Sequence, residues 1–179
     1  MKTKPSTEYV LLGTLFSGQK HGYEIMQFLE SALESTWRVS TSQLYVLLKR
    51  LEREGLLQSS VEAQETRPSK RIFSLTPVGT NAFLAWLRSP VKHVRDLRIE
   101  FLAKLFFFRH LSLQGGNDLV NAQVKALEEI KGWIQKRQDR ENDPFNKLVL
   151  GIKVMTVESW LTWLRTQATH FMKEFHPHD

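Results

Sequence analysis

Two groups of residues in this chain have the types and spacing to hold a polyanion. Thr66-Arg67-Pro68-Ser69-Lys70-Arg71 carries three cations, two hydroxyls and no acid in six residues, which suits ion pairing and hydrogen bonding with phosphate oxygens. In the segment Ser40 to Glu54, a helical step of 100° per residue puts Ser42, Tyr45, Val46, Lys49 and Arg53 on one arc, flanked by Thr41 and Gln43. Lysine and arginine on that arc can meet phosphates or guanine edges. Serine, glutamine and tyrosine can hydrogen-bond to either, and a valine can touch a thymine methyl. The chemistry within reach is recognition of double-stranded DNA.

Bond-making chemistry is poorly served. The chain has no cysteine, so disulfides, thiolate nucleophiles and Cys-ligated zinc are excluded. His21, His93, His110, His170, His176 and His178 are scattered, and HExxH, GxSxG and glycine-rich phosphate loops are all missing. His176-Pro177-His178 is the one pair of nearby metal-binding side chains, at a chain end that reads as frayed. We therefore expect no catalytic site, no metal and no cofactor.

Composition agrees with a binding protein. Of 179 residues 41% are hydrophobic and 25% charged, and the net charge is +6, which fits a polyanionic partner without requiring one. The polar start and the lack of any long apolar run argue against a membrane and for a cytoplasmic protein.

Those residues need elements to position them. The run Tyr9 to Phe16 is apolar at helical spacing and stops at Gly18, and His21-Gly22-Tyr23 opens a second amphipathic segment with Ile25, Phe28, Leu29 and Leu33 on one face. A third helix is set by Ser40 and Gln43, which form a capping box, and by Gly55 at the C′ position. Its leucines 44, 47, 48 and 51 face inward, leaving the recognition arc outside. Leu56 to Val61 and Lys70 to Leu75 alternate weakly and read as a β-hairpin around the basic segment. Thr76-Pro77 restarts a helix that ends before Ser89-Pro90. The remainder is helical, with breaks at residues 114–117 and 142–144. The expected fold is mostly α with a small β-hairpin: a winged helix-turn-helix domain over residues 1–89 and an α-helical domain over 90–179. In that arrangement the third helix enters the major groove and the wing tracks the neighbouring backbone.

The motifs HGYEI (His21 to Ile25), QLYVLLKRLEREGLL (Gln43 to Leu57) and KRIFSLTPVGTNAFLAWL (Lys70 to Leu87) resemble the N-terminal domain of PadR-family transcriptional regulators. RDLRIEFLAKLFFF (Arg95 to Phe108) is similar to the C-terminal domain of the longer, virulence-activator-like members. The resemblance implies a homodimer held by its C-terminal helices, usually a repressor, whose DNA affinity responds to a small molecule. By position it makes Tyr45 the recognition-helix tyrosine, Lys49 and Arg50 the basic pair after the leucines, and Arg67, Lys70 and Arg71 the wing-tip cations. Val46 stands where the family commonly has proline.

Two features of the C-terminal half bear on partners. Leu150, Val154, Val157, Leu161, Leu164, Ala168, Phe171 and Phe175 alternate four- and three-residue steps, the spacing of a coiled-coil seam. They could join two copies, or pack inside one chain on the helix from Leu119 to Ile134. Trp133, Trp160, Trp163 and Phe107 could line a pocket for an aromatic effector, or be core. A winged-helix protein-interaction module without DNA is the alternative function, since Glu52, Glu54, Glu62 and Glu65 dilute the local charge.

Overall fold

The computed structural model describes residues 6–33, 37–62 and 70–175. The N-terminal part runs α1 (Ser6–Leu15), β1 (Lys20–His21), α2 (Gly22–Ala32), α3 (Thr41–Arg53), β2 (Leu57–Glu62), β3 (Lys70–Leu75) and α4 (Pro77–Arg88). A short 3-10 turn (Val94–Arg98) leads to α5 (Glu100–His110), α6 (Gly116–Asp139) and α7 (Pro144–Trp163). A π-helical stretch, Leu164–Ala168, carries α7 into α8 (Thr169–Phe175).

The ends of α3 follow from its local sequence. Gln43 N donates to Ser40 Oγ at 3.3 Å and Ser40 N to Gln43 Oε1 at 3.2 Å, which closes the capping box. Gly55 takes φ 72°, the left-handed conformation that stops the helix. Leu44, Leu48 and Leu51 are fully buried. Leu11, Ile25 and Phe73 of the same unit are buried as well, and α3 packs on α1, α2 and β2.

The wing has one strand more than the expected hairpin. β2 and β3 pair antiparallel from Leu57↔Leu75 to Glu62↔Lys70, and β1 adds to the far edge of β3 through Lys20↔Phe73 and His21↔Ile72. A two-residue strand has too little periodicity to be seen in sequence. Thr76 caps α4 by accepting from Gly79 N at 3.0 Å, and its hydroxyl donates to Gly55 O at 2.7 Å. The side-chain-free Gly79 lies directly against the Leu56 carbonyl.

The chain divides into two interleaved units: residues 1–87 with 102–107, and residues 88–101 with 108–179. Residues 102–107, expected in the C-terminal domain, therefore belong to the first unit. Aromatic packing is the reason: Phe107 meets Phe83 edge-on at 5.4 Å, and Phe106 meets Phe28 at 6.1 Å. Lys104, also buried, sets its ammonium 4.9 Å from the Trp86 ring centre.

In the second unit α6 and α7 form an antiparallel hairpin, pinned by Lys131 to Glu158 at 2.7 Å, by Arg165 to Glu128, and by Gln138 Nε2 donating to Lys147 O at 3.3 Å. The four–three stripe of α7 is consumed here. Leu150, Val154, Val157, Leu161, Leu164 and Ala168 are buried within the single chain, with α6 packed along α7. They meet a matching stripe that includes Leu119, Val120, Gln123, Leu127 and Ile134. The seam read as an interface between copies is thus an intramolecular core. Phe171 is half-buried and the Phe175 side chain lies outside the described residues.

Candidate nucleic-acid interface

On α3 the arc expected to face outward does so. Thr41, Ser42, Gln43, Tyr45, Val46, Lys49 and Arg53 are all exposed, Val46 to 68%. An apolar side chain so open on a helix whose opposite face is fully buried has no role in this unit's core. Thr41, Ser42 and Gln43 stand in the first turn, where backbone N–H groups favour an anion. Gln43 is partly committed, because its carbonyl oxygen closes the cap. Ser42 Oγ lies 3.2 Å from Ser40 Oγ.

Tyr45 is half-exposed, and its hydroxyl end lies over the start of α2: a Cβ placed on Gly22 would sit 2.6 Å from Tyr45 Oη. This explains the glycine of HGYEI, whose first residue donates its backbone N–H to Glu24 Oε2 at 2.6 Å. His21 and Glu24 fix the entry to α2, and Gly22 leaves room for Tyr45.

Two cations of the expected set are engaged by other side chains of the protein. Arg50 pairs with Glu8, a carboxylate on α1 whose side chain is only 2% exposed. The residue that looked like half of a basic pair therefore binds α3 to α1, and Lys49 alone faces out. Glu8 was missed from sequence, although a lone acid abutting the run YVLLGTLF is the signal that could have found it. Arg71, expected at the wing tip, also has a protein partner. Its Nη2 donates to the Glu52 carboxylate oxygens at 3.0 and 2.8 Å and its Nε to Ser59 Oγ at 2.7 Å. Thr66, Arg67 and Ser69 lie outside the described residues, as does the side chain of Lys70.

The four aromatic residues suggested for an effector pocket are not gathered in one place. Phe107 is core of the first unit. Trp133 is 62% exposed, with the Arg137 guanidinium 5.7 Å from its ring centre. Trp160 and Trp163 meet edge-on at 5.6 Å, and Trp163 also packs on Phe101 at 6.4 Å. Trp160 lines a cavity of about 540 Å³ with Arg95, Arg98, Ile134, Ile152 and Lys153. Helical periodicity placed these rings on apolar elements but could not say which elements pack together. Among the described residues no cluster of three or more His, Asp or Glu could hold a metal ion, and no helix is long and apolar enough to cross a membrane.

Residues 11–85, which include the exposed face of α3 and the Glu52–Arg71 pair, match the model of the transcriptional regulator PadR-like family. The negative transcriptional regulator PadR of Bacillus subtilis is 29% identical over 155 residues, covering 85% of this chain and 80% of that protein. Over residues 11–85 the chain is thus similar to the PadR-like family of transcriptional regulators. A probable transcriptional regulator of Mycobacterium tuberculosis is 21% identical over 90 residues, half of this chain and 48% of that one. Among solved structures, Bacillus subtilis PadR in complex with operator DNA superposes with a TM-score of 0.50 at 23% identity, covering 95% of this chain and 99% of that one. That likeness extends the PadR-like fold into the helical C-terminal part.

Proposed function

We propose that this PadR-like regulator binds a palindromic DNA operator as a homodimer and represses transcription from it. The observation that carries the reading is the outward face of α3: seven exposed residues able to contact phosphates and bases, mounted on a helix whose other face is fully buried. Docked in a major groove, Lys49 and Arg53 meet phosphates or guanines, Ser42, Gln43 and Tyr45 hydrogen-bond, and Val46 offers its methyls. Thr66, Arg67, Ser69 and Lys70 of the wing are assigned to the neighbouring backbone. The name of the Bacillus subtilis relative, a negative regulator, and the operator DNA in its solved complex support the repressor reading.

The dimer contact moves to the other face of α7. Phe145, Leu148, Ile152 and Met155 are exposed by 58–70% and repeat at steps of three, four and three residues. Such a contiguous apolar stripe on a helix already packed on its opposite side favours a second copy, and two-fold symmetry matches a palindrome.

An effector reading is favoured by the cavity at Trp160, whose apolar wall and three cations suit a small aromatic molecule carrying negative charge. Quenching of tryptophan fluorescence that disappears in Trp160→Phe tests it.

The deciding experiment is fluorescence anisotropy on duplex DNA from upstream of the protein's own gene, against a scrambled duplex, at several salt concentrations. A preference of about a thousandfold with steep salt dependence is expected. Lys49→Ala should weaken binding to both duplexes and lower the salt slope by about one. Equal, weak binding to both duplexes would overturn the reading in favour of a protein-interaction module.

A further inference from the structure

The recognition helix and the wing are joined by a polar bracket. Glu52 lies near the end of α3, Arg71 on β3 and Ser59 on β2. Arg71 gives both Nη2 bonds to the Glu52 carboxylate, at 2.8 and 3.0 Å, and its Nε bond to Ser59 Oγ at 2.7 Å, while the Ser59 hydroxyl donates to Glu52 Oε1 at 2.5 Å. The three side chains form a closed ring of charge-assisted bonds, which fixes direction as well as distance. The Arg71 guanidinium carbon stands 5.5 Å from the Phe73 ring centre. The Arg71 carbonyl lies 3.4 Å from His21 Nδ1, and His21 Nε2 lies 3.5 Å from Glu62 on β2. Both wing strands are thereby tied to the helix that carries Tyr45, Val46 and Lys49.

We propose that Glu52 and Arg71 are a positioning pair that sets the wing against the recognition helix, so that Arg71 acts on DNA through Glu52 and not by touching a phosphate. To reach a phosphate, Arg71 would have to surrender three hydrogen bonds and leave Glu52, whose side chain is 26% exposed, beside a polyanion. Held in the bracket, Glu52 has its charge answered within the protein. The wing's phosphate contacts then fall to Arg67 and Lys70. This inference rests on the DNA-binding reading above.

The test uses the full-length protein and a duplex that the wild type selects from a random-sequence library. Glu52→Gln, Arg71→Gln and Arg71→Lys should each weaken binding to that duplex about tenfold with the salt slope unchanged. Lysine fails like glutamine because a single ammonium cannot reproduce the two-pronged contact. The bracket is overturned if Glu52→Gln tightens binding, if Arg71→Gln lowers the salt slope by about 0.9, the signature of a lost phosphate contact, or if all three variants bind like wild type. Amide hydrogen exchange of β2 and β3 provides a readout without DNA. Glu52→Gln should speed it severalfold with the rest of the first unit unchanged, and unchanged wing exchange counts against the bracket. If the wild type selects no duplex, the DNA-binding reading fails by itself and the exchange result still decides the bracket.

Discussion

The Arg50 guanidinium reaches from α3 to the buried carboxylate of Glu8 on α1. Among the described residues Glu8 Oε2 and Arg50 Nε, both buried, have no further hydrogen-bond partner, so each charge depends on the other. Removing one partner of a buried pair leaves the other uncompensated, whereas removing both does not. Arg50→Gln should therefore cost about 2–4 kcal/mol of unfolding free energy, less than a fully enclosed pair because Arg50 is about one-third exposed. Glu8→Gln with Arg50→Gln should recover part of that loss. Urea denaturation of the two single variants and the double checks this; strictly additive losses would show that the residues do not act as a pair.

Gly22 and Tyr45 make a second long-range contact with a local signature. A methyl at Gly22 would lie within 3 Å of the Tyr45 ring and hydroxyl, so Gly22→Ala must displace the tyrosine. We expect operator affinity to fall about tenfold, and stability to fall by about 1–2 kcal/mol, the cost of forcing extra volume into a packed contact. Gly22→Ala combined with Tyr45→Ala, which removes both ring and hydroxyl, should regain stability without regaining affinity, which anisotropy and thermal melting together would resolve.

In the second unit the Gln123 side chain is completely buried. It accepts from Val91 N at 2.7 Å and donates to Val91 O at 3.2 Å, in the manner of a strand neighbour. Gln123→Leu would leave two backbone groups unpaired, at about 1–3 kcal/mol each. The expected result is a loss of about 2–4 kcal/mol on denaturation, with faster exchange of the Val91 amide. Gln123→Glu should also destabilise, because a carboxylate cannot donate to Val91 O.

The two faces of α7 should respond oppositely to charge. Val157 is 1% exposed and Ile152 58%. Val157→Glu should unfold the α6–α7 hairpin, seen as a large fall in melting temperature. Ile152→Glu should leave the fold intact and convert dimers to monomers in sedimentation. If Ile152→Glu sediments like wild type, the exposed stripe is not the dimer contact.

Much of the first unit was legible because its signals are local. Ser40, Gln43 and Gly55 delimit α3 through bonds to neighbours no more than four residues away. Thr76 and Pro77 start α4 in the same way, and the outward arc from Thr41 to Arg53 follows from the helical period alone. With its three motifs in order, the sequence by itself determined a winged helix-turn-helix similar to that of the PadR-like family and the face of α3 that is open. Tertiary structure decided what periodicity leaves degenerate. α7 carries two apolar stripes of similar spacing, and only the complementary stripe of α6 makes the one through Val154 and Val157 core and leaves the one through Leu148 and Ile152 outside. It likewise decided which cations are available. Glu8 lies 42 residues from Arg50, and Glu52 lies 19 from Arg71; such ion pairs form only when folding brings distant charges together in a partly desolvated place. Charge counted along the chain cannot show which arginines are already spoken for.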